Sequence, residues 1–137
     1  MLRRTVLVAA VVAVAPCFAN NQSAIEAAKT AASSWLKLVD AQDAGASWNQ
    51  ASSAFKLAVT ASQWSQALES VRKPLGALRQ RENLAADYKT TLPGAPDGKY
   101  VLLQYQSAFE RKAAAVESVT VVMDPDGVWR VVGYFIN

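Results

Sequence analysis

The chain has 137 residues, 14 Lys+Arg against 11 Asp+Glu, a net charge of +3, no histidine and one cysteine, Cys17. This excludes Ser-His-Asp and Cys-His catalysis and the usual histidine-bearing zinc sites. The charge excess is too small for a strongly basic nucleic-acid binder.

The N-terminus, MLRRTVLVAAVVAVAPCFANN, carries Arg3 and Arg4, an apolar run from Thr5 to Ala15, and small residues before Asn20. This is the pattern of a secretory signal peptide over residues 1–19, cleaved after Ala19. The apolar run is shorter than the roughly 20 residues a membrane span needs, so membrane contact is expected only in transit, through that segment. Acylation at Cys17 is the competing reading; Pro16 disfavours it, because a small residue is expected before a lipidated cysteine. Residues 20–137 then form one exported domain, periplasmic or secreted, with 12 basic and 11 acidic residues and no cysteine. No disulfide is expected there despite the oxidising compartment, so stability rests on a packed core.

Ser23 to Glu26 fits a capping box, and Ile25, Ala28, Ala32, Trp35, Leu36 and Val39 recur at helical spacing behind it. The chain breaks at DAQDAG. A shorter helix carries Trp48, Ala51 and Phe55. Thr60 to Gln63 is a second capping box, followed by Trp64, Leu68, Val71 and Leu75, with Pro74 ending that helix. From Leu78 the period becomes two: Leu84, Ala86, Tyr88 and Leu92 alternate with Ala85, Asp87, Lys89 and Thr91. After the turn-rich PGAPDG, three further strands follow in KYVLLQYQSAF, AVESVTVVM and VWRVVGYFI. Helices first and strands later predict an α+β fold, with about three N-terminal helices on one face of a four-stranded antiparallel sheet.

The last hairpin turns at Asp124-Pro125-Asp126-Gly127, where a type I turn with left-handed Gly127 pairs Asp124 with Val128. That register places Trp129, Val131 and Phe135 on the helix-covered face with Met123, Val121 and Val119. Arg130, Val132, Tyr134 and Ile136 then fall on the opposite, mixed face with Thr120 and Ser118. Three readings of that face compete: a dimer interface, a pocket roofed by a curled sheet, or a strand end covered by the protein's own loops.

The stretches AASSWLKLVDAQDAGASWNQAS, SVRKPLGALRQR and LPGAPDGKYVLLQYQSAFE, continuing to the C-terminal WRVVGYFIN, resemble the bacterial family catalogued as domain of unknown function 4019. The resemblance runs in order over nearly all of residues 20–137 and implies a small exported domain. It carries no activity, cofactor or site residues. The architecture is more loosely similar to nuclear-transport-factor-like and cystatin-like folds, in which a curled sheet wraps a helix.

Chemistry-bearing motifs are few. Ser34-Trp35-Leu36-Lys37 and Ser53-Ala54-Phe55-Lys56 match Ser-x-x-Lys, but the chain is too short for a penicillin-binding fold, and Ser34 lies deep in a helix. Asp124 and Asp126 lack the further oxygens a calcium loop needs, and turn chemistry explains them. No metal, cofactor or catalytic residue is assigned. Arg72, Lys73, Arg79 and Arg81 form the one basic cluster. It reads either as a patch for an anionic partner, or as helix-terminal cations plus the wet face of the first strand. Trp35, Trp48, Trp64 and Trp129 read as core rather than as a ligand cavity.

Arg130, Tyr134 and Glu117 are the candidate polar site on the sheet. Arg130 would need Asp124 or Asp126 as its partner, and a Tyr–carboxylate pair could move protons if the carboxyl were buried. The leading reading is a non-enzymatic binding domain acting on an unidentified protein partner or as a homodimer through its sheet. The alternative is a small-molecule pocket near Tyr134 and Arg130, with acid/base catalysis as the chemistry it would support.

Overall fold

The computed structural model describes residues 18–137. The expected signal segment, with Cys17, lies outside them except for Phe18 and Ala19, which open the first helix. Helix α1 (Phe18–Asp40) is followed by α2 (Ala44–Gln50), α3 (Ser53–Ala58), α4 (Ala61–Arg72) and a 3-10 turn (Lys73–Leu75). Strands β1 (Leu78–Lys89), β2 (Tyr100–Phe109), β3 (Lys112–Met123) and β4 (Trp129–Ile136) then form one antiparallel meander in the order β1-β2-β3-β4. This is the expected α+β architecture. Helix α1 lies across all four strands, and α3 touches β4.

The apolar stripe of α1 behaves as its spacing requires: Ala28, Ala32, Trp35, Leu36 and Val39 are all buried. The helix does not begin at Ser23, however. It runs straight through it, and Glu26 accepts from the Gln22 amide instead of reaching back to cap. The second box is formed as expected. The Thr60 hydroxyl accepts from Gln63 N–H at 3.1 Å, and the Gln63 side chain accepts from Thr60 N–H at 3.0 Å.

The expected middle helix is two. Ser52 sits between them in extended conformation, caps α3 by accepting from Phe55 N–H, and donates its own N–H to the Val131 carbonyl at 2.9 Å. Bonding to β4 and continuing a helix are incompatible at one residue, so the helix divides there. Pro74 does not stop the chain dead after α4. It lies inside the 3-10 turn, near its start, where the missing N–H is tolerated.

The sheet carries four register shifts, with the extra residue on β1 at Leu78/Gln80 and at Asn83/Ala85, on β3 between Lys112 and Ala115, and on β4 at Val132. Each β-bulge reverses which face the following residues occupy. The last hairpin shows the consequence. The turn is as expected, with Gly127 at φ 80° and Asp124 N–H bonded to the Val128 carbonyl. Val131 is buried beside Val121. Thr120 then pairs with Gly133, leaving Val132 as the extra residue. Beyond it the faces exchange: Tyr134 packs into the core against Trp35, while Phe135 is 71% exposed.

The core therefore lies between the helices and one sheet face. An aromatic run passes through it, with Trp35 to Trp64 at 5.6 Å, Trp35 to Tyr134 at 5.4 Å and Phe55 to Trp64 at 5.3 Å between ring centres. Buried Ser47 satisfies two of these indoles: its carbonyl accepts from Trp35 Nε1 and its hydroxyl from Trp64 Nε1, each at 2.9 Å. Among the described residues no helix covers the opposite sheet face, where Leu102, Val116, Ser118, Thr120 and Val122 are half-buried and Gln104 and Gln106 exposed. Only the end of that face is closed, by the 90–98 loop, whose Pro96 carbonyl accepts from Tyr100 at 2.6 Å.

Candidate functional site: a buried polar cluster

Six elements of the fold each send at least one polar side chain to the same place. At its centre is Glu117 on β3, fully buried. It shares the parity of Val119 and Val121, which face the helices, so burial follows from strand alternation. A carboxylate without solvent needs several donors, and Glu117 has them. Arg81 Nε donates at 2.7 Å and Arg81 Nη2 at 3.1 Å. The Ser107 hydroxyl donates at 2.5 Å, and the Tyr134 hydroxyl donates to the second oxygen.

Arg81 continues to a second carboxylate, donating to Asp40 Oδ2 at 2.8 Å and to Asp40 Oδ1 at 2.9 Å. Asp40 Oδ1 also accepts from Arg72 Nη2 at 2.9 Å. Arg72 is 2% exposed, its guanidinium lies 4.7 Å from the centre of the Phe109 ring, and its Nε and Nη1 have no protein partner. The cluster holds two cations and two anions and is neutral.

The pKa perturbations follow from this geometry. Burial alone would raise the Asp40 carboxyl, but hydrogen bonds and charge from Arg81 and Arg72 outweigh it and hold Asp40 below its ordinary value of 3.8. Burial works against the Arg81 cation, yet Asp40 and Glu117 raise it further above its ordinary value. Tyr134 is pushed up, by burial first and then by the Glu117 charge. Tyr105, which pairs with Glu117 across the sheet, is also raised, again mainly by burial.

The sequence-derived candidates distribute unevenly over this site. Tyr134 and Glu117 do meet. Arg130 does not join them; it pairs with Val122, five residues along β3 from Glu117, about 16 Å at strand rise. It is held instead by the two expected partners. Nη1 donates to Asp124 at 3.0 Å and to Asp126 at 2.9 Å, and Nη2 donates to Asp126 at 2.9 Å. These contacts raise Arg130 and lower Asp126, both through the hydrogen bond between them first.

Arg72, Lys73, Arg79 and Arg81 do not form one surface patch. Lys73 and Arg79 are exposed, beside Glu69 and Glu110 respectively. Arg72 and Arg81 point inward. The wet-face placement expected for Arg81 fails because Gln80 to Asn83 lie between two bulges, with Arg79 and Leu84 as the extra residues, and are turned over relative to Ala86 and Tyr88, so Arg81 faces the helices. Asp40 and Ser107 were not singled out from the sequence. A signal existed: Asp40 follows Leu36 by four, and Arg72 follows Leu68 by four, so both charges extend apolar stripes.

What this arrangement does chemically is limited by access. Glu117 has no exposed surface, and both its oxygens are engaged by two or more donors or by a tyrosine. Among the described residues no cluster of three His, Cys, Asp or Glu side chains is placed to hold a metal, and no helix is long and apolar enough to cross a membrane. The cluster ties α1 and α4 to every strand of the sheet.

Comparison with curated proteins and with solved structures gave no match. The family described as "Protein of unknown function (DUF4019)" matches residues 31–134, a span that runs from the middle of α1 to Tyr134 and includes every member of the buried cluster. The chain therefore belongs to the DUF4019 family.

Proposed function

We propose that the protein is an exported, non-enzymatic interaction domain that self-associates through the open face of its sheet, with residues 1–19 serving as its signal peptide. The observation that carries this reading is the uncovered face itself. Leu102, Val116 and Val122 lie there among Ser118 and Thr120, with Phe135 71% exposed at the β4 edge. The charged residues of this face, Asp87 opposite Leu102 and Arg130 opposite Val122, lie on its outer strands, and protein interfaces likewise differ from other surface mainly by losing charge at their centre. The sealed state of Glu117, with no exposed surface, supports a binding role over an acid/base one, since a proton-transfer group must reach its substrate.

Light scattering after size exclusion, over a dilution series, tests the reading. A concentration-dependent dimer that Thr120→Arg dissociates is the expected result, because Thr120 sits mid-face between Leu102 and Gly133. A monomer at every concentration would overturn self-association. A dimer indifferent to Thr120→Arg would remove the sheet face as its interface.

A further inference from the structure

A separate feature lies on the helix side of the molecule. Helix α1 and the start of β4 diverge to leave a half-open cleft of about 360 Å³, inside the range of small-molecule sites. Its apolar lining includes Trp35, Leu38 and Trp129, and its polar lining Ser34, Gln50 and Arg130. Ser34 and Gln50 are exposed, so their hydrogen-bonding groups meet solvent when the cleft is empty.

The electrostatics narrow the ligand. Arg130 is committed to Asp124 and Asp126, and Lys56 lines the adjoining depression with the same two aspartates. Two cations thus face two anions, and the rim has no net charge. An anionic ligand would have to compete with two aspartates already bonded to Arg130. A bare aromatic ring would cover Ser34 and Gln50 without replacing the hydrogen bonds they make to water, which is unfavourable. A ligand that suits both surfaces has one flat apolar face for the indole-lined floor and hydroxyl groups along its edge for the rim.

We propose that this cleft binds a neutral pyranose ring, a single sugar or the end of a neutral oligosaccharide, with Trp129 as the apolar platform and Gln50 and Ser34 as hydrogen-bonding partners. The site is distinct from the sheet face and does not depend on self-association.

The test is a titration of 15N-labelled protein with glucose, galactose and N-acetylglucosamine, each to about 50 mM, the millimolar regime expected of a few unaided contacts. The expected result is a saturable shift of the Trp129 indole N–H and the Gln50 side-chain amide with at least one sugar. Gln50→Ala is expected to weaken that binding about fivefold, the worth of one hydrogen bond. Gln50 is exposed at the end of α2, so this variant keeps the fold, which its unchanged spectrum elsewhere verifies. Trp129→Phe preserves an aromatic ring and is expected to weaken binding through loss of platform area. No shift with any of the three sugars overturns the proposal. So does a shift produced by free indole but by no sugar, or sugar binding that neither variant alters.

Discussion

Asp40→Asn is the most informative single change in this molecule. The substitution keeps the size of the side chain and removes its charge. Asp40 is the only hydrogen-bonding partner of the Arg72 side chain among the described residues, and Arg72 is 2% exposed with Nε and Nη1 already unpaired. The same carboxylate supplies two of the four hydrogen bonds that hold Arg81. With its carbonyl at the Oδ1 position asparagine still accepts from both guanidiniums, but it turns its NH₂ toward Arg81 Nη1 and brings no charge to either cation. Removing one partner of a buried pair typically costs about 3–5 kcal/mol, because a desolvated charge is left behind. The Asp40 side chain is 21% exposed, so some water can reach the site, and the expectation falls at the lower end, about 3 kcal/mol. A domain of this size has a total stability of about 5–15 kcal/mol, and each kcal/mol moves Tm by about 4 °C, so Tm should fall by about 12 °C.

Urea denaturation followed by circular dichroism measures the effect, and a second variant separates charge from packing. Asp40→Leu combined with Arg72→Met removes both charges and leaves Arg81 paired with Glu117. It should be more stable than Asp40→Asn, since replacing a whole buried pair by apolar groups is often close to neutral. A loss below about 1 kcal/mol for Asp40→Asn would place it among surface pairs and refute the account of Arg72 as a desolvated cation. A double variant no better than Asp40→Asn would show that the cost lies in packing rather than charge.

Further expectations follow from the same structure. Tyr134→Phe removes one donor from buried Glu117 while preserving the ring contact with Trp35, and should cost about 1.5–3 kcal/mol, read from the shift in urea midpoint at constant m. Thr60→Ala deletes the cap of α4 and should cost about 1 kcal/mol, read from the same urea midpoint. Acid lowers stability through Asp40: its folded-state pKa is depressed, so its contribution is complete above the ordinary 3.8 and is lost as pH falls below that, and the Asp40→Leu/Arg72→Met variant should show less of this loss. Alkali acts in the opposite sense on Tyr134 and Tyr105: their folded pKa values are raised from the ordinary 10.0, so stability is present below pH 10 and declines above it, and a spectrophotometric tyrosine titration should show two late phenols.

Several features were legible along the chain because they depend on neighbours a few residues apart. The α1 stripe, the Thr60–Gln63 box and the turn at Asp124–Gly127 are of this kind, and each forms as its local pattern demands. So is the order of helices before strands, which yields one sheet with helices on one side. The candidate site was legible only in part. The sequence pairs Tyr134 with Glu117, but the register expected from the turn puts Tyr134 on the wrong face, groups Arg130 with them, and leaves out Asp40 and Ser107.

The remainder depended on contacts that no short window contains. A bulge adds one residue to one strand, and every side chain beyond it changes face, yet nothing in VWRVVGYFI marks Val132 as that residue. Its choice follows from what the core accepts: Tyr134 inside can pack on Trp35 and bond Glu117, with Phe135 left at the edge. The bulges at Arg79 and Leu84 turn Arg81 inward in the same way, toward carboxylates 36 and 41 residues away in the chain. Amphipathic periods and turn residues express local conformational energy, and the sequence by itself determined the elements. Which charges end up dry is decided by long-range pairing, because a buried ion is stable only where tertiary structure assembles its partners around it.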